Sequence, residues 1–178
     1  MRYPKALLEI GNETFAACIA RKAREAGIQS IFLITGPDHE AIVKHSAPEI
    51  VCIRNDDFRK GQISSLQKGI RSLTADTDAV MVWPVDQPLI QSDTARRLID
   101  SYERESRELT IPIYQQRKGH PVIYGKQAMQ SALGLGSQQT AKQLQSMYSN
   151  NLVLMEVEDP AILIDIDTPG DYAKYIRT

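Results

Sequence analysis

A chain of 178 residues, 42% hydrophobic and 24% charged, has the size and balance of one globular domain that buries its own core. Its formal net charge of -1 excludes a global field that would draw it to nucleic acid or an acidic membrane, while a local cluster can still hold a small anion. No apolar run approaches the ~20 residues a membrane span needs, and 2 cysteines (Cys18, Cys52) with 3 scattered histidines (His39, His45, His120) form neither a disulfide framework nor zinc-ligand spacing. Lys5 and Glu9 interrupt the first apolar stretch, unlike a signal peptide. A cytoplasmic location with free thiols is expected.

Glu13 to Ala26 is expected to be helical, because Phe15, Ile19, Ala23 and Ala26 recur at helical spacing and Gly27 ends the pattern. Ile31 to Thr35 is a continuous β-rich run, the mark of a buried strand. After the turn Gly36-Pro37-Asp38, Asp38 is placed to cap a helix reaching Lys44. Ile50 to Ile53 reads as a second strand, Ile63 to Leu73 as a second long helix, and Ala79 to Trp83 as a third, fully apolar and central strand. Asp93 to Arg104 follows as a helix capped by Ser92 or Asp93.

Leu109 to Tyr114 and Pro121 to Tyr124 are expected strands on either side of a basic turn, Gln116 to His120. Leu133 to Gln139, with its two glycines and Ser137, reads as a loop inside the domain. Thr140 to Tyr148 is expected to be helical, Leu152 to Val157 and Ile162 to Ile166 to be strands, and Pro169 to open a last helix to Ile176. This β-α-β-α order predicts an α/β fold, a three-layer sandwich. The later strands come without a helix between each, so the sheet is expected to be mixed.

The strongest chemical signal is Trp83-Pro84-Val85-Asp86-Gln87-Pro88-Leu89. A buried strand delivers a carboxylate at its carboxyl end, where ligands of open α/β sheets bind, and two prolines stiffen the loop. A lone carboxylate there suits Mg²⁺, which takes one or two protein oxygens and fills its shell with phosphate and water; a helix cap is the structural alternative. In Ile164-Asp165-Ile166-Asp167-Thr168-Pro169, strand alternation places Asp165 and Asp167 on one side as a second metal arm, unless Asp167 or Thr168 merely caps the last helix.

Three further segments can meet ligands. Lys60-Gly61-Gln62-Ile63-Ser64-Ser65-Leu66 opens a helix with free N–H groups for an anion or a base edge, or is simply a serine cap. Arg117-Lys118-Gly119-His120-Pro121 either holds a phosphate or is a solvated hairpin turn, and His120 shows no partner for acid–base work. Lys5, in Tyr3-Pro4-Lys5-Ala6-Leu7-Leu8, reaches phosphate as a point charge or is a surface lysine.

Taken in order, Pro4 to Leu8, Gly61 to Leu66, Val85 to Leu89, Gly119 to Pro121 and Asp165 to Asp171 resemble the MobA-like NTP transferase family, and within it the molybdenum-cofactor cytidylyltransferase branch. The resemblance implies a Rossmann-like nucleotidyltransferase fold with a mixed, mainly parallel sheet. It implies attack of a substrate phosphate on the α-phosphorus of an NTP, with pyrophosphate leaving. Asp86 and Asp167 would hold Mg²⁺, Lys5 would neutralise the phosphates, Gly61, Ser64 and Ser65 would line the nucleotide site, and Gly119, His120 and Pro121 would face the acceptor. The Gly61 to Leu66 segment leans towards CTP over GTP. A molybdopterin-type acceptor is implied, with a molybdoenzyme or its chaperone as partner.

The family pattern begins with a strand and a glycine-rich loop, L-A-A-G-x-S-x-R-M-G-x-x-K. Here Met1 falls on its methionine, Arg2 replaces the next glycine and Lys5 is its lysine. Residues 1–178 therefore read as one domain without that strand and loop, which would leave unpaired ladder groups and exposed apolar surface. Either a start codon assigned too late or a decayed relative explains this, and the intact remaining site residues favour the first. A decayed relative would be a non-catalytic nucleotide or pterin carrier. Other enzyme readings are guanylyl transfer or a different phosphorylated acceptor, such as a sugar phosphate or phospholactate.

Overall fold

The structure, a computed structural model, describes residues 3–136 and 139–176. Met1 and Arg2, which align with the glycine-rich pattern, and Ser137 of the expected loop lie outside the described residues.

A 3-10 turn at Lys5–Leu7 buries Ala6 and Leu7 and leads into a hairpin of β1 (Glu9–Ile10) and β2 (Glu13–Thr14). Strands this short carry no readable periodicity. The Thr14 hydroxyl accepts from the Ala17 N–H at 3.2 Å and starts α1 (Phe15–Glu25), and Gly27, at φ 104°, turns the chain out of it. Next come β3 (Ile31–Thr35), α2 (His39–His45), β4 (Ile50–Arg54), α3 (Gln62–Arg71) and β5 (Ala79–Val82), close to the ranges expected. Asp38 precedes α2 but makes no side-chain cap.

The second half runs α4 (Ser92–Glu105), β6 (Leu109–Tyr114), β7 (Arg117–Lys118), β8 (Val122–Gly125), α5 (Lys126–Leu133), α6 (Ala141–Met147), β9 (Leu152–Glu156) and α7 (Pro169–Tyr175). Two expectations in this half need correction, and one element is added. Neither Ser92 nor Asp93 caps α4; buried Asp159 accepts from the Gln91 N–H at 2.9 Å and from the Thr94 hydroxyl at 2.8 Å. The apolar alternation of Ile162 to Ile166 is not a strand: Pro160–Leu163 is a 3-10 turn that buries Ile162, and Ile166 is buried in the loop after it. Helix α5 is an addition to the expected elements; its buried positions Ala128, Met129 and Ala132 are mostly small, so its apolar stripe is faint.

β3 and β4 pair in parallel. The larger, five-stranded sheet runs β5-β8-β6-β7, with β9 parallel on the other edge of β6. β8 is antiparallel to both β5 and β6, so β5, β6 and β9 share one direction. The fold is α/β with a mixed, mainly parallel sheet. α3, α5 and α6 cover one face through Leu109, Ile111, Val122 and Tyr124, while α4, with α1 beside it, covers the other. β5 is not central among the described strands: it pairs with β8 alone, and its apolar residues are only half-buried. Among the described residues no helix is long and apolar enough to cross a membrane.

Candidate active site

β5 ends at Val82, and Trp83 to Asp86 emerge from its carboxyl end. The loop is pinned from several sides. The Gln87 N–H donates to the Pro84 carbonyl at 3.1 Å and the Trp83 indole N–H to the Gln87 carbonyl at 3.0 Å. From α1, the Lys22 ammonium donates to the carbonyls of Pro88 (2.7 Å) and Ile90 (2.8 Å). The Ile166 N–H donates to the Asp86 carbonyl at 2.8 Å and so stitches the second acidic segment to the first.

Three charged side chains from distant parts of the chain meet there. Lys5 Nζ donates to Asp86 Oδ2 at 2.9 Å and also to Asp167 Oδ1. Burial opposes the charge on Lys5, but the bonds to Asp167 and Asp86 outweigh it and hold the ammonium above its ordinary pKa. Neither carboxylate is spent on a cap. The residue before α4 is Gln91, and α7 is capped by Thr168, whose hydroxyl accepts from the Asp171 N–H at 3.1 Å in a capping box. Asp165 does not join Asp167 in a common arm, because no strand alternates them: Asp165 Oδ1 accepts from the buried Gln87 amide at 2.7 Å.

His120 lies in the same neighbourhood. Burial pushes its pKa down, and the nearby charges of Asp165 and Asp86 pull it part of the way back. Its backbone N–H donates to the Ile162 carbonyl at 3.2 Å, and the Gly119 N–H donates to the Pro112 carbonyl at 2.9 Å. Pro121 is buried beside them, whereas Arg117 and Lys118 are exposed on β7. A histidine with a depressed folded pKa contributes stability fully above its unfolded value of about 6.5. That contribution is lost as pH falls through the folded pKa, since the unfolded chain binds the proton more readily. The stability measured by urea titration is therefore expected to drop on acidification below pH 6.5, with a shallower slope in His120→Gln. Equal slopes would remove His120 as the cause.

The Gly61 segment forms a second cluster. Gly61, at φ 86°, precedes α3 in a conformation that side chains rarely adopt. Asn55, buried just after β4, donates to the hydroxyls of Ser64 (3.0 Å) and Ser65 (3.1 Å), and Ser64 donates to the Gly61 carbonyl at 2.8 Å. Asn55, Lys60, Ser64, Lys68 and Arg71 line a polar pocket of about 420 Å³. Among the described residues no hydrogen bond joins this cluster to Asp86 or Asp167. Sequence reasoning misses Asn55, Lys22 and the role of Gln87. Asn55 alone carries a signal, as a polar residue at the carboxyl end of a strand.

The family model described as MobA-like NTP transferase domain matches residues 1–152. The chain belongs to the MobA-like NTP transferase family. This MobA-like chain is 25% identical over 146 residues to the molybdenum cofactor cytidylyltransferase of Escherichia coli (strain K12), covering 80% of the chain and 71% of that enzyme. Among solved structures it is similar to Rv0371c of Mycobacterium tuberculosis H37Rv, with a TM-score of 0.84 and 20% identity over 100% of this chain and 91% of that one. A manganese complex of Rv0371c matches with a TM-score of 0.76 and 20% identity, covering 99% and 94% of the two chains. A nucleotidyl transferase from Methanothermobacter matches with a TM-score of 0.81 and 22% identity, covering 97% of this chain and 83% of that one.

As a MobA-like protein the chain is a nucleotidyltransferase, an activity that uses a divalent metal. Asp86 and Asp167 fit such an ion by the chemistry of the donor set. Two oxygen-bearing carboxylates, partly open to solvent at 24% and 59% side-chain exposure, already flank a cationic group. Among the described residues no group of 3 or more His, Cys, Asp or Glu forms a cage. A two-carboxylate site suits a hard divalent cation that keeps water and substrate phosphate in its shell.

Proposed function

We propose that this nucleotidyltransferase moves a cytidylyl group from CTP to the phosphate of a molybdopterin-type acceptor, with release of pyrophosphate. The observation that carries the reading is the meeting of Lys5, Asp86 and Asp167 at the carboxyl end of β5. Asp86 and Asp167 would hold Mg²⁺, which when bound supplies positive charge against the phosphate oxygens. Lys5, kept ionised, offers its charge to the triphosphate. Gly61, Ser64 and Ser65 serve the nucleotide, held by their hydrogen bonds with Asn55 and one another, and Gly119, His120 and Pro121 serve the acceptor.

The acceptor phosphate needs no strong base, since its second pKa lies near 6 and it is largely dianionic at neutral pH. One of its oxygens attacks the α-phosphorus, and the bond from the α-phosphorus to the bridging oxygen breaks. That electron pair leaves with pyrophosphate. His120, its pKa pushed down by burial, is neutral at pH 7 and positions the acceptor with one donor and one acceptor nitrogen. The cytidylyltransferase from Escherichia coli supports the choice of base and acceptor. The reaction belongs in the cytoplasm, and a molybdoenzyme or its chaperone receives the product.

Pyrophosphate release is measured with Mg²⁺ and CTP, GTP or ATP, with and without molybdopterin. Acceptor-dependent release is expected, with CTP preferred by at least about tenfold in kcat/KM. Faster turnover of GTP would make the transfer guanylyl, and no release with any NTP would end the catalytic reading.

A further inference from the structure

The loop that carries Asp86 is short of donors of its own. Residues 83–91 lie outside any strand or helix, and Pro84 and Pro88 have no N–H. Carbonyls that such a loop buries need partners from elsewhere. Ile90 is wholly buried, and its carbonyl and that of Pro88 both accept from one ammonium, Lys22 Nζ, at 2.8 and 2.7 Å. Cys18, one turn earlier on the same face of α1, adds a weak thiol contact to the Pro88 carbonyl at 3.7 Å. The two lysine bonds are charge-assisted, and so the stronger ones. α1 also meets the other acidic segment. Phe15, wholly buried in its first turn, stacks against Tyr172 of α7 with ring centroids 6.2 Å apart. α7 opens at Pro169, just after Asp167 and Thr168, and the Tyr172 hydroxyl donates to the Glu9 carbonyl at 2.7 Å, in the hairpin that leads into α1. One helix thus supports both segments of the carboxylate pair.

We propose that Lys22 is a positioning residue: by tying the Pro88 and Ile90 carbonyls to α1, it fixes the Asp86 carboxylate relative to Asp167 and so sets the affinity of the pair for a divalent cation. The proposal rests on the reading of these two carboxylates as the cation's ligands. Lys22 bonds to the loop backbone and, among the described residues, to neither carboxylate, so its influence passes through the loop. Asp86 lies between two such ties. On one side its own carbonyl accepts from the Ile166 N–H, and on the other Lys22 holds the carbonyls two and four residues onward. With the second tie cut, the loop has a wider range of positions, and the Asp86 oxygens spend less time at the spacing the ion needs. Groups that orient a metal ligand without touching the metal matter by about 10–100-fold in affinity.

Two readouts test this without nucleotide or turnover. One is Mn²⁺ alone, titrated by electron paramagnetic resonance. The other is hydrogen exchange of the Trp83 indole N–H, which bonds to the Gln87 carbonyl inside the loop. The chain has 1 tryptophan, so that N–H gives a single resonance. Lys22→Met keeps the stem of the side chain and removes the donor. It is expected to weaken Mn²⁺ binding about tenfold and to speed indole exchange by at least about fivefold. Cys18→Ala controls for a general loosening of α1: it deletes a buried group, leaves both Lys22 bonds in place, and is expected to lower the melting temperature without changing Mn²⁺ affinity. Should Lys22→Met fail to fold, Lys22→Gln replaces it with the same expectations, since its amide keeps a donor for one buried carbonyl. Parent-like Mn²⁺ binding or indole exchange in the Lys22 variant, while Asp86→Asn loses the ion, overturns the proposal alone, as does an equal loss in Cys18→Ala. Parent-like Mn²⁺ binding in Asp86→Asn removes the carboxylate reading and the proposal with it.

Discussion

Asp86→Asn is expected to lower nucleotidyl transfer by about 10³-fold while the protein stays folded. Asn keeps the shape of the side chain and removes its charge, so the site loses half of the carboxylate pair that faces Lys5. The fold has little at stake in that charge. The Lys5–Asp86 pair is partly solvent-exposed, at 30% and 24%, and such pairs contribute about 0–1 kcal/mol. The bond that stitches the two acidic segments together uses the Asp86 backbone carbonyl, which the substitution leaves in place. Pyrophosphate release and thermal melting, measured on the same preparation, separate the two roles. Unchanged turnover would remove Asp86 from the mechanism, and a large loss of melting temperature would make it structural.

Gly119→Ala is expected to destabilise the protein by about 2–3 kcal/mol, through overpacking. For a domain of this size that is a fall in melting temperature of about 5–10 °C. A Cβ at Gly119 would lie 2.4 Å from the Ile162 carbonyl oxygen and 2.8 Å from the Ile162 side chain, and Ile162 is wholly buried, at 0% exposure, with nowhere to retreat. Relief by separating the backbones would break the bond from the His120 N–H to the same carbonyl. Activity with the acceptor is therefore expected to fall along with stability. Gly170→Ala is the control: its added methyl meets nothing closer than 3.5 Å, and it is expected to change stability by less than about 0.5 kcal/mol. Equal melting of the two variants would dismiss the close approach at Gly119.

The candidate site is partly legible in the amino-acid sequence. Asp86 stands out because a continuous apolar run ends in a carboxylate between two prolines, and the fold places it at the carboxyl end of β5, free of capping. Asp167 and Thr168 are ambiguous as sequence, since either could cap the last helix; the capping box of Thr168 with Asp171 resolves this and leaves Asp167 to Lys5. Lys5 cannot be told from a surface lysine by its neighbours in the chain, because its partners lie 81 and 162 residues away. The same distance problem hides Asp159, which serves α4 from 68 residues downstream, and Asp165, which is taken by Gln87.

Periodicity and turn chemistry are local, and they suffice for most helices, for the long strands and for the α/β class, because each of those elements is set by neighbours within a few residues. Pairing is not local. The sheet order, the half-exposed edges of β3 and β5, and the convergence of Lys5, Asp86 and Asp167 depend on which segments meet in space. The apolar run of β5 carries the mark of a covered strand, and among the described residues it pairs on one edge only and lines a groove. Burial preference is written in side chains, whereas its satisfaction requires a partner that only tertiary contacts supply.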